Sequence, residues 1–354
     1  MNGIERVYRA IEFRAPDRVP FLSVIPALSD IFFITYTPAK TWQPEKGFYP
    51  KIHFLIAAAG DWRPRRPLPL GWAFSGKPLQ DEFGCVWKTR SAHDLGQVSR
   101  HPLKDWSALE TFRVPNPRLP ERFTTFRRLR NLFGRGLFTI GDLGNGVWER
   151  SHFLRGFEEI MMDLVVNTSE VQRLMDRLIE EWYIGLMDMY ARCGCHAVIM
   201  TDDWGTQRNL MISPETWRRV FKPRYERLIG AAHAGKMKFF LHSCGDIRAI
   251  VPDLIEIGLD VLQKDDMECL GLDYLEENVS GKLCLMGPLD LQRVLPRAAP
   301  RGIEREVKRT IGAVGKKNGG LIGMIYAQPE AVGIPWYKFA LMHYYFHRHG
   351  KYPV

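Results

Sequence analysis

An imidazole and a thiol follow one short apolar run in the segment Leu241-His242-Ser243-Cys244-Gly245-Asp246. Met237 to Leu241 predicts a strand, and residues two apart on a strand share a face, so His242 and Cys244 point the same way. Both side chains bind Zn²⁺, at about 2.0 and 2.3 Å. A barrel of alternating strands and helices builds its active site at the strands' C-terminal ends. The pair therefore indicates a metal site, with a buried cysteine beside a hydrogen-bonded histidine as the alternative.

Other polar side chains follow the other candidate strands. They are Asp142; Asp202, Asp203 and Trp204; Asp265, Asp266 and Glu268; Pro288 and Asp290; and Tyr326 and Gln328. Surface loops are often acidic, so solvation is the simpler explanation for any single carboxylate. The Asp202-Asp203 pair is a stronger candidate, because paired carboxylates in a cleft raise one pKa and leave one acid and one base.

Candidate strands and helices, which must position these residues, alternate along the chain. The candidate strands are Arg18–Val24, Leu137–Ile140, Ala197–Met200, Lys238–Leu241, Val261–Gln263, Leu283–Met286 and Leu321–Ile325. Helical patterns lie between most of them, including single helices over His152–Val166 and Pro214–Ala234, and residues 141–146 are expected to form a loop. This order predicts a parallel sheet with right-handed crossovers. Seven or more strands favour a closed TIM (β/α)8 barrel over an open sheet.

The barrel repeats are predicted over residues 136–354 of one domain spanning 1–354. Residues 1–135 contain the first helix and strand and an irregular, proline-rich elaboration with a hairpin around Asp81 to Lys88. No linker separates this part from the rest, which argues against a second domain.

Composition narrows the class of protein. The chain has 354 residues, 45% of them hydrophobic, and a net charge of +9 with basic clusters at Arg63, Arg65 and Arg66 and at Arg127, Arg128 and Arg130. A positive field favours anionic partners, but no nucleic-acid-binding signature is present. Six cysteines form no disulfide framework, and neither a signal peptide nor a membrane span is found. We expect a cytoplasmic protein without nucleic-acid or membrane partners.

Four motifs in order resemble the uroporphyrinogen decarboxylase superfamily. They are Ala15-Pro16-Asp17-Arg18-Val19-Pro20, Asp202-Asp203-Trp204-Gly205-Thr206-Gln207, His242-Ser243-Cys244-Gly245-Asp246 and Gly287-Pro288-Leu289-Asp290. The resemblance covers residue 15 to about 345 and implies a TIM barrel. True decarboxylases carry an arginine- and glycine-rich motif after the first of these, where this chain has Phe21-Leu22-Ser23-Val24. The chain is therefore more similar to the cobalamin-dependent methyltransferase branch.

That branch implies a zinc ion held by His-x-Cys, a Glu about two dozen residues on, and a Cys near the last strand. His242, Cys244 and Glu268 match the first three positions, with Asp265 and Asp266 as rivals to Glu268. Gln328 occupies the fourth, where a thiolate is expected, so an open site with three protein ligands is predicted. Gln328, Tyr326, Trp204 and Gln207 are candidates for the fourth ligand or for substrate contacts.

The resemblance implies a methyltransferase that moves a methyl group between a small O-, N- or S-methylated substrate and a corrinoid. The corrinoid is expected on a separate protein, since the barrel and its elaboration use the whole length. Asp202, Asp203, Asp142 and Asp290 are the candidate catalytic residues. The alternatives are a decarboxylase of a polycarboxylated tetrapyrrole, which the positive charge suits, and a non-catalytic binding protein on the same fold.

Overall fold

The computed structural model describes residues 1–23, 26–36, 39, 79–88, 96–326 and 332–353. Its internal contacts group the chain into two units. The first comprises Met1–Phe33, Phe133–Ile140 and Cys195–Val354, and the second comprises Ile34–Leu132 and Gly141–Gly194. The prediction of a single domain stays a prediction. No helix in the described ranges is long and apolar enough to cross a membrane.

In the part of the chain that the structure describes, eleven strands form two sheets. They are β1 (Phe21–Leu22), β2 (Ile31–Thr35), β3 (Leu79–Gln80), β4 (Val86–Lys88), β5 (Gln97–Arg100), β6 (Phe138–Asn145), β7 (Ala197–Thr201), β8 (Lys238–His242), β9 (Val261–Gln263), β10 (Cys284–Gly287) and β11 (Leu321–Met324). The main sheet has the order β1-β11-β10-β9-β8-β7-β6-β2, and β3-β4-β5 form a small antiparallel sheet. The successive pairings from β7 through β11 to β1 are parallel. The predicted α/β TIM-barrel fold is confirmed.

Thirteen helices are seen in the described residues. They are α1 (Gly3–Ile11), α2 (Thr124–Phe133), α3 (Val147–Arg155), α4 (Phe157–Val166), α5 (Thr168–Leu178), α6 (Ile184–Arg192), α7 (Pro214–Val220), α8 (Lys222–Ala234), α9 (Val251–Glu256), α10 (Leu272–Asn278), α11 (Val294–Arg297), α12 (Pro300–Thr310) and α13 (Trp336–His349). Short π-helical segments continue α5 and α12. At least one helix separates each pair of successive strands from β6 to β11. The sequence pattern predicted these helices except the one between β9 and β10.

The core of the first unit consists of apolar side chains from the strands and from α1. Phe138, Ile199, Phe240 and Ile322 are almost fully buried in one cluster, together with Val7 of α1. Burying such a side chain stabilises the fold by about 1.5–3 kcal/mol. This packing fixes the strands, and therefore the direction in which the residues after each strand leave the sheet.

The Ala15–Pro20 motif has a structural role in the first unit. Arg18 and Arg6 both pair with the buried carboxylate of Asp30, and Arg6 also pairs with Asp17. Asp30 accepts the backbone N–H of Phe21 at 2.9 Å, which anchors the start of β1. The motif therefore ties the N-terminal segment to the barrel sheet.

Several predicted boundaries are wrong. Strand β2 lies in the segment expected to be irregular, and β6 runs through Asn145, where a loop was predicted. The helix expected from His152 to Val166 is two helices, because Gly156 has a φ of +112°. The helix expected over Pro214–Ala234 also divides, beside Pro223, which lacks an N–H donor. The hairpin around Asp81 to Lys88 is confirmed, whereas the cluster Arg63, Arg65 and Arg66 lies outside the described residues.

Candidate metal centre

Three potential metal ligands converge after β7 and β8 in the first unit. Nε2 of His242 lies 3.3 Å from Sγ of Cys244 and 3.4 Å from Oδ1 of Asp203. The three ligand atoms lie within 4.8 Å of one another. Oδ1 of Asp203 also accepts the backbone N–H of Cys244 at 2.7 Å, which joins the two loops that carry the cluster. We call Asp203, His242 and Cys244 the ligand cluster.

The loop after β7 and the loop after β8 approach each other closely because a glycine occupies each point of contact. A Cβ on Gly245, whose φ is +75°, would lie 2.4 Å from the carbonyl carbon of Gly205. A Cβ on Gly205 would lie 2.6 Å from the backbone nitrogen of Asp246. Side chains do not fit at these distances, so both glycines are needed for the approach that brings Asp203 to Cys244.

A buried lysine fixes the loop after β8. Lys264 follows β9 and has no exposed surface. Its Nζ donates to the carbonyl oxygens of Ser243 at 2.9 Å and Gly245 at 2.7 Å. Burial lowers the pKa of Lys264, and the negative charges around it, among them Cys244, oppose that effect. Lys264 thus orients the residues on both sides of Cys244.

The other nitrogen of His242 is also fixed by a partner. Nδ1 of His242 hydrogen-bonds to Oε1 of Gln263, and Nε2 of Gln263 donates to Asp265 at 2.9 Å. Because Asp265 accepts from the amide nitrogen, the amide oxygen of Gln263 is turned towards the imidazole. An imidazole that donates from Nδ1 presents the lone pair of Nε2 to the ligand cluster. Metal-binding histidines are oriented in this way.

The electrostatics favour a positive charge at Nε2 of His242. Burial lowers the pKa of His242, but its hydrogen bonds with Asp203 and Cys244 outweigh burial and raise the pKa well above the usual range. Burial raises the pKa of Asp203, but the hydrogen bond to His242 outweighs it and the pKa is lowered. A metal ion bound to Nε2 of His242 would supply positive charge where a protonated imidazole has its Nε2 proton.

The donor set fits zinc. A tetrahedral zinc with bonds of about 2.0 and 2.3 Å separates its ligand atoms by roughly 3.5 Å, close to the distances of 3.3 and 3.4 Å found here. One imidazole, one thiolate and one carboxylate leave a fourth position free, which is typical of catalytic zinc. Asp203 is 37% exposed, so that position can be reached from solvent.

The model of the uroporphyrinogen decarboxylase (URO-D) family matches residues 81–324. The chain belongs to the uroporphyrinogen decarboxylase family. Among solved structures, a methyltransferase from Methanosarcina mazei is similar, with 17% identity over 98% of this chain and 99% of that chain and a TM-score of 0.68. A xylanase from Gloeophyllum trabeum has 10% identity over 63% of this chain and 80% of that one, with a TM-score of 0.41. No curated protein matched in a separate search.

The carboxylate that joins His242 and Cys244 in this family member is Asp203, not the predicted Glu268. Glu268 lies in the turn Met267–Cys269, and its carboxyl group hydrogen-bonds to Glu306 of α12. Asp265 is connected to His242 only through Gln263. Asp266 accepts the backbone N–H of Cys269 at 3.2 Å. The structure therefore places Asp203, and not Glu268, beside His242 and Cys244, and Glu268 as a metal ligand stays a prediction.

Asp202 and Trp204 are part of the protein interior. Asp202 has no exposed surface and accepts a hydrogen bond from the hydroxyl of Tyr225, which in turn accepts the indole N–H of Trp204 at 2.8 Å. The ring of Trp204 is fully buried and packs against Phe221 at 4.5 Å. A substrate contact by Trp204 stays a prediction.

The remaining predicted residues have separate environments. Asp290 is buried and accepts the backbone N–H groups of Gln292 and Arg293, each at 2.7 Å. Tyr326 follows β11, and burial raises its pKa, as do the negative charges of Asp265 and Cys244. Gln207 is exposed. Gln328 lies outside the described residues.

Asp142 belongs to the second unit. Its carboxylate accepts the backbone N–H of Gly144 at 2.8 Å and a hydrogen bond from Thr35. Burial outweighs these bonds and raises the pKa of Asp142 to about 6.

The structure adds two residues that the sequence analysis did not select. Gln263 is the last residue of the apolar strand β9, and Lys264 directly follows it. The carboxylates that the sequence analysis selected have the same kind of position, but glutamine and lysine are neither usual metal ligands nor acids. A lysine directly after a buried strand was the available signal, because lysine is almost never buried without a partner.

The carboxyl pair of Glu268 and Glu306 makes stability depend on pH. Burial and the hydrogen bond to Glu306 raise the pKa of Glu268 from 4.5 to about 7. The unfolded chain loses this proton at a lower pH than the folded chain, so the free energy of unfolding falls as pH rises from about 4.5 to 7. We expect Glu268→Gln to reduce that decrease and to be more stable than wild type at pH 8. Urea unfolding at pH 5 and pH 8 measures this; equal pH dependence in both proteins would contradict the pairing.

Proposed function

We propose that this protein is a zinc-dependent methyltransferase that moves a methyl group between a small methylated substrate and a corrinoid carried by a partner protein. The observation that carries the proposal is the ligand cluster, whose three donor types and spacing suit an open zinc site. The family match and the fold shared with a methyltransferase support the same reaction class. The substrate has its methyl group on oxygen, nitrogen or sulfur.

Each residue of the site has a role in this proposal. His242, Cys244 and Asp203 would hold the zinc ion, which when bound supplies a Lewis acid for the substrate heteroatom. Gln263 and Asp265 orient the imidazole of His242, and Lys264 holds the backbone on both sides of Cys244. The hydroxyl of Tyr326 would donate a hydrogen bond to the heteroatom, because Tyr326 lies within electrostatic range of Cys244 and Asp265. A group that stabilises charge as it develops lowers the barrier.

The roles proposed for the carboxylates change with the geometry. The lowered pKa of Asp203 keeps this carboxylate ionised at neutral pH, which suits a ligand better than a proton donor. Asp202 is a positioning residue that acts through Tyr225 and Trp204. Asp290 positions the backbone after β10. We propose no step in methyl transfer for Asp142.

The test is methyl transfer to a free corrinoid. Zinc-loaded protein would be incubated with cob(I)alamin and, separately, methanol, dimethylamine or dimethyl sulfide, and formation of methylcob(III)alamin would be followed by absorbance. We expect turnover with at least one donor and its loss in Cys244→Ser, while Cys269→Ser retains it. Release of CO₂ from uroporphyrinogen, without methyl transfer, would instead identify a decarboxylase. Absence of both reactions would favour a non-catalytic binding protein.

The orientation of His242 by Gln263 has a measurable consequence. Gln263→Leu removes the acceptor of the Nδ1 proton, so the imidazole loses its fixed tautomer and direction. Loss of such a partner weakens metal binding by about 10–100-fold. Zinc affinity would be measured by competition with a chelator. Met324→Leu is the matched control, because Met324 contacts the amide nitrogen of Gln263 and not its oxygen. Equal affinity in Gln263→Leu and wild type would show that Gln263 does not orient the ligand.

A further inference from the structure

Two buried arginines in the second unit have opposite environments. Arg122 donates to both carboxylate oxygens of Glu82, at 2.7 and 3.0 Å, and its Nε donates to the carbonyl of Asn116 at 2.8 Å. Arg150, on α3, is only 6% exposed, yet its Nε has no hydrogen-bond partner within the described residues. The first arginine is satisfied by the protein, and the second is not.

Among the described residues, Asp81 is the carboxylate near Arg150, and both of its oxygens accept other hydrogen bonds. Oδ2 of Asp81 lies 3.5 Å from the guanidinium of Arg150, but it accepts the indole N–H of Trp87 at 2.9 Å. Oδ1 of Asp81 accepts the backbone N–H groups of Phe83 and Cys85, each at 2.9 Å. The ring of Phe83 covers one face of the guanidinium at 4.1 Å. Nε of Arg150 therefore remains a buried N–H donor without an acceptor among the described residues, and burial of such a donor is unfavourable unless a ligand satisfies it.

A second unused donor lies near Arg150. The hydroxyl of Tyr36 has no hydrogen bond in the described part of the chain, and it would lie 3.7 Å from a Cβ on Gly144, whose φ is +74°. Tyr36 is within electrostatic range of both Arg150 and Asp142. The hydroxyl of Tyr183, also near Arg150, is used by the carbonyl of Asn145 at 2.6 Å. Among the described residues, the hydroxyl of Tyr36 and Nε of Arg150 are thus two donors without an acceptor in this part of the second unit.

We propose that the second unit contains a binding site for a small carboxylate, held by the guanidinium of Arg150 and the hydroxyl of Tyr36. A planar guanidinium donates to both oxygens of a carboxylate, and such charge-assisted bonds are about twice as strong as neutral ones. The carboxylate of Asp142, within electrostatic range of Tyr36, disfavours ligands with two negative charges, such as phosphate. All the residues of the proposed site belong to the second unit.

The experiment is thermal unfolding of the full chain in sodium acetate, propionate or benzoate, each compared with sodium chloride at equal ionic strength. A ligand that binds only the folded state raises Tm as its concentration rises. We expect at least one carboxylate to raise the Tm of wild type. Arg150→Met should abolish that rise, because it removes the guanidinium that binds the carboxylate. Tyr36→Phe should require several-fold more carboxylate for the same rise.

Two controls separate this site from other effects. Arg113→Met changes an exposed arginine of the same unit and should respond to carboxylates as wild type does. Cys244→Ser should also respond normally, which excludes binding of the carboxylate to a metal. The proposal is overturned if no carboxylate raises Tm beyond chloride, if phosphate raises it more than every carboxylate, or if Arg150→Met and Tyr36→Phe keep the wild-type response.

Discussion

Replacing Cys244 with serine is expected to reduce the zinc content of the purified protein from about one ion per chain to nearly none. Sγ of Cys244 is the one sulfur in the ligand cluster, and the serine hydroxyl is a weak zinc ligand near neutral pH because it remains protonated. With only His242 and Asp203 left, two protein ligands do not retain the ion through purification. Zinc would be measured by elemental analysis after dialysis.

Cys269→Ser is the matched control. Cys269 is also a partly exposed free cysteine in the first unit, and its Sγ lies 3.9 Å from the carbonyl of Gln207, outside the ligand cluster. We expect this variant to retain zinc at the wild-type level. If Cys244→Ser keeps its zinc, or if Cys269→Ser loses it, the metal lies elsewhere.

Lys264→Met is expected to destabilise the protein by about 2–4 kcal/mol, because two buried carbonyl oxygens lose their donor at once. These are the carbonyls of Ser243 and Gly245, on either side of Cys244. Methionine fills most of the same volume, so the loss comes from hydrogen bonding and charge rather than from a cavity. We also expect weaker zinc binding, since the thiolate loses a neighbouring positive charge and the loop its fixed position.

Urea unfolding measures the first effect and chelator competition the second. Lys282→Met changes an exposed lysine and should leave the free energy of unfolding within about 0.5 kcal/mol of wild type. Stability and zinc affinity that are both unchanged in Lys264→Met would show that Lys264 does not hold the loop.

The parts of the fold that the sequence predicted correctly depend on local patterns. The alternation of strands and helices after residue 136 predicted the barrel. The expectation that His242 and Cys244 point the same way agrees with the 3.3 Å between Nε2 of His242 and Sγ of Cys244, although β8 ends at His242 and Cys244 lies in the loop that follows. The strand β2 was missed because the proline-rich composition of its neighbouring segment led to a prediction of irregular structure for all of it. The division of the helix at Gly156 depends on a single backbone dihedral angle, and periodicity does not report it.

The rest of the site depends on contacts between distant segments. Asp203 reaches Cys244 because Gly205 and Gly245 let two loops cross, and spacing along the chain contains no measure of that distance. Glu268 had the spacing of the relatives' ligand, but its turn directs it to Glu306. Gln263 and Lys264 gain their roles from hydrogen bonds to the end of β8 and to the loop that follows it. Their residue types alone did not reveal these roles.

Zinc-edge X-ray absorption on the purified protein tests the central claim, that Asp203, His242 and Cys244 form an open zinc site. We predict one sulfur at about 2.3 Å and three nitrogen or oxygen neighbours at about 2.0–2.2 Å. Two of these are the imidazole and the carboxylate, and the third is water or substrate. A spectrum with two or more sulfur neighbours, or a protein that binds no zinc when supplied with it, would contradict the claim.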